Sequence, residues 1–145
     1  MSASDLMLPV FVQVLLTFVV LIALGRARGQ SLQARQTSRA NNDVAMGSFS
    51  WSDAATKASN NFSNQFEIPV LFYAAVAFAL ILKQSDLTLV VLAWIFAVSR
   101  IVHAIIHTGA NKVRWRFPVY LIGTASVLAF WCVLMVRVLG GAVAV

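Results

Sequence analysis

The chain has 145 residues, of which 60% are hydrophobic and 11% are charged. Soluble domains average about 45–50% apolar and about 25% charged residues, so this composition excludes an ordinary soluble protein. The net charge of +6 would suggest a nucleic-acid partner in a soluble chain. Here the long apolar segments instead predict a single membrane domain over residues 1–145, with membrane lipids and no nucleic acid as partners.

The first apolar segment runs from about Leu6 to Leu24 and nearly meets the roughly 20 residues that a bilayer-crossing helix needs. A cleaved signal peptide would start with basic residues, but residues 1–5 contain none, and Arg26 and Arg28 follow the segment. We therefore expect a retained transmembrane helix. Residues 25–45 are polar and lack periodicity, which predicts an irregular connection.

Small and polar residues after Ser52 permit a helix that rises into the second apolar segment, with Ser50 or Ser52 as its N-cap. The second segment runs from about Phe66 to Leu82, and the third from about Leu87 to Thr108. Only residues 83–86 separate these two segments, so we expect an antiparallel helical hairpin.

The fourth segment runs from about Phe117 to Leu139, with Pro118 near its start. The connection before it, residues 108–116, is short, and Gly109 is expected to cap the third helix. Four segments joined in this way predict an all-α integral membrane protein, a four-transmembrane-helix up-down bundle.

The basic residues of the loops predict the orientation of the bundle. The turn between the second and third segments contains Lys83 alone. Because basic loops stay in the cytoplasm, we expect the two other loops to be cytoplasmic and both termini to lie on the opposite side. The basic residues of those two loops are Arg26, Arg28, Arg35, Arg39, Lys57, Lys112, Arg114 and Arg116.

Three ionisable residues lie on one face of the third helix. Arg100, His103 and His107 occupy positions i, i+3 and i+7, which stacks a guanidinium and two imidazoles along one side. Ionisable groups at membrane depth are costly and are mostly retained where they face a bundle interior, a cavity or a partner. We therefore expect this face to point at a site.

The start of the second segment supplies further polar groups at the same membrane face. Glu67 precedes Pro69, a residue that kinks a helix and frees a backbone carbonyl. Antiparallel packing brings Glu67 within reach of Arg100 or His103, and Asn64 lies on the same helical face as Glu67. Two interpretations stay open: a structural Glu–Arg ion pair, or part of a ligand site.

The fourth segment begins with Arg114, Trp115 and Arg116. Such a triplet at a membrane boundary usually anchors a helix, and we interpret Arg114 in this way. Arg116 is expected to join the polar face, and Tyr120, one turn further on, either extends the site or belongs to an aromatic belt. Arg137, near the far end, is expected to snorkel to the opposite interface.

The chemistry of this cluster favours an anionic ligand. His103, His107 and Glu67 would form a minimal metal-ligand set, but the neighbouring Arg100 and Arg116 disfavour a bound dication, and no metal is expected. A surplus of arginine and histidine around one carboxylate suits a carboxylate, thiolate or phosphate.

The motif Asn64-Gln-Phe-Glu67-Ile-Pro69, followed by Arg100-Ile-Val-His103 and a basic loop ending at Arg116, resembles the MAPEG family. These are membrane-associated proteins in eicosanoid and glutathione metabolism, which include microsomal glutathione transferases, leukotriene and prostaglandin synthases and the lipoxygenase-activating protein. The four-segment pattern covers nearly the whole chain, and its short length without a retention tail favours a bacterial-type member in the inner membrane.

The resemblance implies a homotrimer that binds glutathione, as co-substrate, between neighbouring subunits near the cytoplasmic side. Arg116 is similar to the arginine that stabilises the glutathione thiolate, which would make it the catalytic residue. Arg100 matches a structural arginine, and Pro69 belongs to the motif. His107 stands where tyrosine is common and is a candidate ligand-site residue. The positions that match glutathione-contacting residues are Arg28, Asn64, Glu67, His103 and Tyr120.

Besides His107, three positions depart from the family pattern. Phe117 stands where a serine follows the arginine, and Asn60 and Ser63 stand where basic residues often bind the glutathione carboxylates. The leading hypothesis is a glutathione transferase or peroxidase that acts on hydrophobic electrophiles or lipid hydroperoxides. The alternative is a non-catalytic lipid- or ligand-binding scaffold of the same fold. A proton-coupled carrier would use His103, His107 and Glu67, but the chain lacks the inverted repeat and broken-helix pair typical of transporters.

Overall fold

The computed structural model describes residues 2–37, 50–109 and 112–141 of the chain. These residues form helices and turns and contain no β-strand, and four of their segments are long and apolar enough to cross a membrane. The predicted all-α architecture of four membrane helices is therefore confirmed. The helices are α1 (Ala3–Thr37), α2 (Asp53–Ser63), α3 (Ile68–Ile81), α4 (Leu87–Thr108) and α5 (Val113–Leu139).

The first helix extends well beyond its apolar part. The prediction of an irregular connection from residue 25 is wrong as far as Thr37, and residues 38–45 lie outside the described part. The extension is held by packing against the start of α2, where the buried Ser31 hydroxyl accepts a hydrogen bond from the Ser52 backbone N–H at 3.2 Å. Such tertiary contacts override the weak local preference of a polar, glycine-containing segment.

The helix predicted to rise from Ser52 into the second apolar segment, residues 66–82, is interrupted and forms two helices, α2 and α3. Ser52 caps α2, as one of the two predicted N-caps, because its hydroxyl accepts from the Ala55 N–H at 3.3 Å. The chain leaves helical geometry around residues 64–67 and resumes it at Ile68, with Pro69 as the second residue of α3. Proline is tolerated there because the first N–H groups of a helix have no helical acceptor.

The turn between α3 and α4 is a Schellman motif. The Gln84 N–H donates to the Ala79 carbonyl at 2.8 Å, and the Lys83 N–H donates to the Leu80 carbonyl at 3.1 Å. Lys83 adopts the left-handed conformation that this motif requires, with φ of 53°. The Asp86 carboxylate then caps α4 by accepting from the Leu89 N–H at 3.0 Å.

The end of α5 is tied to this turn. The guanidinium of Arg137, the residue predicted to snorkel to the opposite interface, forms an ion pair with Asp86 and donates to the Gln84 side chain at 3.1 Å. Partial burial pushes the pKa of Asp86 upward, but the backbone N–H bonds and Arg137 outweigh it, so this pKa lies below its usual value. At the other end of α4, Gly109 occupies the predicted C-cap position.

Helices α4 and α5 approach each other closely at Gly123. A Cβ atom placed on Gly123 would overlap the Ser99 hydroxyl, which itself donates to the Phe96 carbonyl at 2.7 Å. Small residues at such crossings let two backbones approach, and this contact matters in a bilayer because van der Waals packing replaces the hydrophobic effect between helices.

The bundle has an apolar half and a polar half. Near the α3–α4 turn the interior is filled by apolar side chains, and the Phe72 and Phe96 rings pack in a tilted arrangement with centroids 4.4 Å apart. Towards the other end of α4 the buried residues become polar. The buried polar and charged side chains of α4 are Ser99, Arg100, His103 and His107.

A hydrogen-bonded chain of buried amides joins three helical segments in the polar half. Gln13 of α1 donates to the Gln65 side chain at 2.8 Å, and Gln65 donates to the Asn61 carbonyl at 3.2 Å. Asn61 in turn donates to the Ala104 carbonyl of α4 at 3.4 Å. These amides fix the residues next to the α2–α3 break against both α1 and α4.

We predict that Gly123→Ala destabilises the protein by about 1–3 kcal/mol, because the added methyl group overpacks the crossing with Ser99. The measurement is the thermal unfolding midpoint in detergent. Gly25→Ala is the matched control, because nothing lies within 4 Å of a Cβ at Gly25 in α1. The double variant Ser99→Ala/Gly123→Ala should recover most of the loss. A Gly123→Ala protein as stable as the control would contradict this packing.

We predict that Asp86→Asn, which keeps an N-cap group but removes the charge, costs up to about 1 kcal/mol at neutral pH. Because the folded-state pKa of Asp86 is lowered, its stabilising effect exists above its unfolded pKa and is lost as the pH falls through the folded pKa. The difference in unfolding midpoint between wild type and variant should therefore close below about pH 4. A difference that stays constant as the pH falls well below about 4 would contradict the ion pair.

Candidate functional site

The α2–α3 break exposes backbone carbonyls inside the polar half. A helix end leaves its last carbonyls without helical donors, and these need other partners when they are buried. Arg100 supplies one such donor, because its Nη2 donates a hydrogen bond to the Asn64 carbonyl oxygen at 2.7 Å. The Arg100 side chain is only 2% exposed, so this charge-assisted bond fixes the break against α4.

The break, α4 and the start of α5 enclose a cavity of about 210 Å³. It is smaller than the roughly 300–1,000 Å³ of typical small-molecule pockets, so a tripeptide would extend beyond it. Five of the residues that the sequence singled out meet at its wall. The cavity is lined by Asn64, Glu67, His103, Val113, Arg116, Phe117 and Tyr120.

The inner wall of the cavity is formed by the imidazole of His103. This side chain is 3% exposed, and its ring centroid lies 5.8 Å from that of Tyr120 and 5.7 Å from that of His107. Within the described part of the chain, His103 Nδ1 forms no hydrogen bond. A buried polar atom without a partner is costly, so this nitrogen is an unsatisfied group of a residue in the cavity wall.

Arg116 joins the cavity to a second histidine behind it. Its Nη1 lies 3.1 Å from Nε2 of His107, a residue that is buried and does not line the cavity. The guanidinium itself is half-buried. The cavity wall therefore holds one carboxylate, from Glu67, and one guanidinium, from Arg116, together with an amide, an imidazole and a phenol.

This set of groups can bind a zwitterionic or anionic ligand. The guanidinium can donate to an anion, the Glu67 carboxylate can accept from an ammonium group, and Asn64 and Tyr120 can donate or accept. Within the described residues, no group of three or more histidine, cysteine or acidic side chains has the arrangement of a metal site.

Arg28 lies outside this cavity. It is exposed on the extended part of α1, with its guanidinium 5.1 Å from the centroid of the Trp51 ring and its Nη2 3.4 Å from the Ser59 hydroxyl. The folding of one chain therefore brings Arg28 to the start of α2 and not to the residues around Arg116.

The structure shows the surroundings of Glu67 and Pro69 in the predicted polar face. No ion pair joins Glu67 to Arg100 among the described residues, because Arg100 turns to the Asn64 carbonyl and leaves Glu67 at the cavity. Pro69 is buried at the start of α3, where it limits the break.

The sequence interpretation missed the buried amides Gln13, Asn61 and Gln65. It followed the helical face of Asn64 and Glu67, but the neighbouring face carries the polar groups that bind α1 and α4. The pattern that could have revealed them is the i, i+4 spacing of Asn61 and Gln65, together with Gln13 as an isolated amide in an apolar helix.

Three comparisons with known proteins bear on identity. A model of the MAPEG family matches residues 6–136 of the chain. No curated protein and no solved structure matches the chain in the two other comparisons. The family match runs from the start of α1 almost to the end of α5 and includes every residue of the cavity wall. The chain therefore belongs to the MAPEG family of membrane proteins.

Proposed function

We propose that the protein is a membrane-bound glutathione transferase or peroxidase that acts on hydrophobic electrophiles or lipid hydroperoxides. The observation that carries this proposal is the half-buried Arg116 guanidinium in the wall of a polar cavity that also presents Glu67, Asn64 and His103. Membership of a family in glutathione and eicosanoid metabolism supports the same ligand class.

The proposed role of Arg116 is to favour the thiolate of bound glutathione. A free thiol with a pKa near 8.5 is mostly protonated at neutral pH, and the thiolate is the nucleophile. A guanidinium fixed beside the sulfur stabilises the negative charge, and the low dielectric of a membrane site strengthens this effect. Arg116 would do this without accepting a proton, because arginine stays charged in proteins.

The other cavity residues would hold the tripeptide. Glu67 would accept hydrogen bonds from the ammonium group of glutathione, and Asn64, His103 and Tyr120 would bind its amide and carboxylate groups. The small volume supports a site in which only part of the tripeptide enters one chain. In the proposed homotrimer, Arg28 of a neighbouring copy would bind the remainder.

The second substrate would come from the bilayer. A groove of about 510 Å³ runs along α4 and α5 beside the level of the cavity, and its lining is almost entirely apolar, with Trp94, Val102 and Ile122 among its residues. An electrophile held there would be attacked by the thiolate, with loss of its leaving group. A hydroperoxide would lose its terminal oxygen to the sulfur and leave as an alcohol; a second glutathione would then release water and form the disulfide.

The proposed orientation places the cavity at the cytoplasmic side of a bacterial inner membrane. Arg28 of α1 lies against α2, and Lys112 and Arg114 lie beside Arg116 at the start of α5, and these basic residues support this sidedness through the positive-inside rule. A water-soluble tripeptide would then reach the site from the cytoplasm, and both termini would lie on the opposite side.

We predict that Arg116→Ala lowers the rate of glutathione conjugation to a hydrophobic electrophile by about 100-fold, since removal of one preorganised charge donor costs that much in comparable sites. The measurement is turnover by purified protein in detergent. Arg114→Ala is the matched control, because Arg114 is exposed, lies against the Trp115 ring and does not line the cavity.

Equal rates for wild type and Arg116→Ala would contradict the role of Arg116. The non-catalytic scaffold makes a different prediction: millimolar glutathione would leave the thermal unfolding midpoint of the wild type unchanged. Binding to the folded state would instead raise this midpoint by mass action.

A further inference from the structure

The contact between Arg116 and His107 is compatible with one protonation state of the His107 imidazole. Arg116 Nη1 lies 3.1 Å from His107 Nε2. A guanidinium carries only donors, so the histidine nitrogen must accept. An accepting Nε2 carries no proton, which requires the neutral imidazole with its proton on Nδ1.

Burial and the neighbouring charges favour the neutral form of His107, and its Nδ1, which would carry the proton, is buried without a hydrogen-bond partner among the described residues. The side chain is 3% exposed at the last turn of α4, so water does not compete for the bond with Arg116. The charged groups that act on it within the described residues are Arg116 from α5 and Arg100 from α4, and its ring neighbour is His103. A second proton, on Nε2, would remove the acceptor and place a third positive charge among these groups, and the neutral tautomer with its only proton on Nε2 would oppose two donors.

We propose that His107 is a positioning residue: its neutral imidazole accepts a hydrogen bond through Nε2 from the guanidinium of Arg116 and holds it in the cavity wall. His107 does not itself line the cavity, so it acts through Arg116. The importance of this contact for turnover rests on the proposed function, but the contact and the protonation state do not.

A hydrogen bond from the Arg116 guanidinium to His107 restricts the side chain before the ligand binds. Less conformational entropy is then lost when the thiolate forms beside the guanidinium. An arginine side chain has many rotamers, and a preorganised group stabilises charge in a transition state better than a mobile one. The imidazole therefore supplies the orientation, and the guanidinium supplies the charge. We expect the contact to influence turnover more than glutathione binding.

A pair of substitutions tests this role. His107→Gln keeps an acceptor in the Oε1 atom of the amide, whereas His107→Phe keeps a ring and removes the acceptor. We expect His107→Phe to lower kcat for conjugation about tenfold, as for the loss of one charge-assisted bond, with less than a threefold change in KM for glutathione. His107→Gln should stay within about threefold of wild type in both constants. Equal kcat values for His107→Phe and wild type would overturn the proposal.

A measurement without glutathione tests the contact itself. Nitrogen-15 NMR of histidine-labelled wild-type protein in detergent distinguishes a protonated ring nitrogen from an accepting one, and the His107→Gln variant identifies the resonances of His107. We expect Nδ1 to be protonated and Nε2 to accept in wild type, and this pattern to be lost in Arg116→Ala. A protonated Nε2 in wild type would overturn the proposal even if the variants fold poorly.

The two experiments separate this proposal from the proposed function. If wild type neither binds nor conjugates glutathione but shows the accepting Nε2, the transferase proposal fails and the Arg116–His107 contact stands. If glutathione is conjugated and Nε2 is protonated, the positioning role fails and the transferase proposal stands.

Discussion

The hydrogen bond from the buried Arg100 guanidinium to the Asn64 carbonyl organises the polar half of this bundle. A carbonyl released by a helix break inside a membrane has no water to bind and needs a donor from the protein. Arg100 meets this need, and the break in turn gives the arginine a partner for its buried charge. Without this hydrogen bond, the Asn64 carbonyl would lack the donor and the Arg100 guanidinium would lack the acceptor that this contact provides.

The position of the cavity follows from that interaction. Because Arg100 binds the backbone of the break, Glu67 is left without an ion pair to it and faces the cavity with Asn64. The amide chain from Gln13 to Gln65 holds the other side of the break. The apolar half of the bundle, built around the packed Phe72 and Phe96 rings, contributes packing and no polar groups of its own to this region.

Much of the architecture could be predicted from the sequence, because membrane-spanning helices are recognised by length and apolar composition alone. The caps Ser52 and Gly109 were also predictable, since they depend on local backbone geometry. The continuation of α1 to Thr37 was not predictable from the sequence. It is stabilised by contacts between residues that are distant in sequence, such as Ser31 and Ser52. The pairing of Arg137 with Asp86 was missed for the same reason.

The convergence of Arg116, Glu67 and His103 could be anticipated, because antiparallel helices bring predictable ends together. The partner that each charged group binds could not be predicted, because several acceptors lie within reach of a long side chain. The family motif indicated which residues belong together, and the structure showed that His107 stands behind Arg116.

The most direct measurement is the ultraviolet absorbance of the glutathione thiolate on titration into wild-type protein and into Arg116→Ala at neutral pH. We predict that the thiolate absorbance rises to saturation with wild type and that Arg116→Ala binds glutathione with little or no thiolate. The same thiolate signal from both proteins, or glutathione binding to wild type without any thiolate, would contradict the role of Arg116.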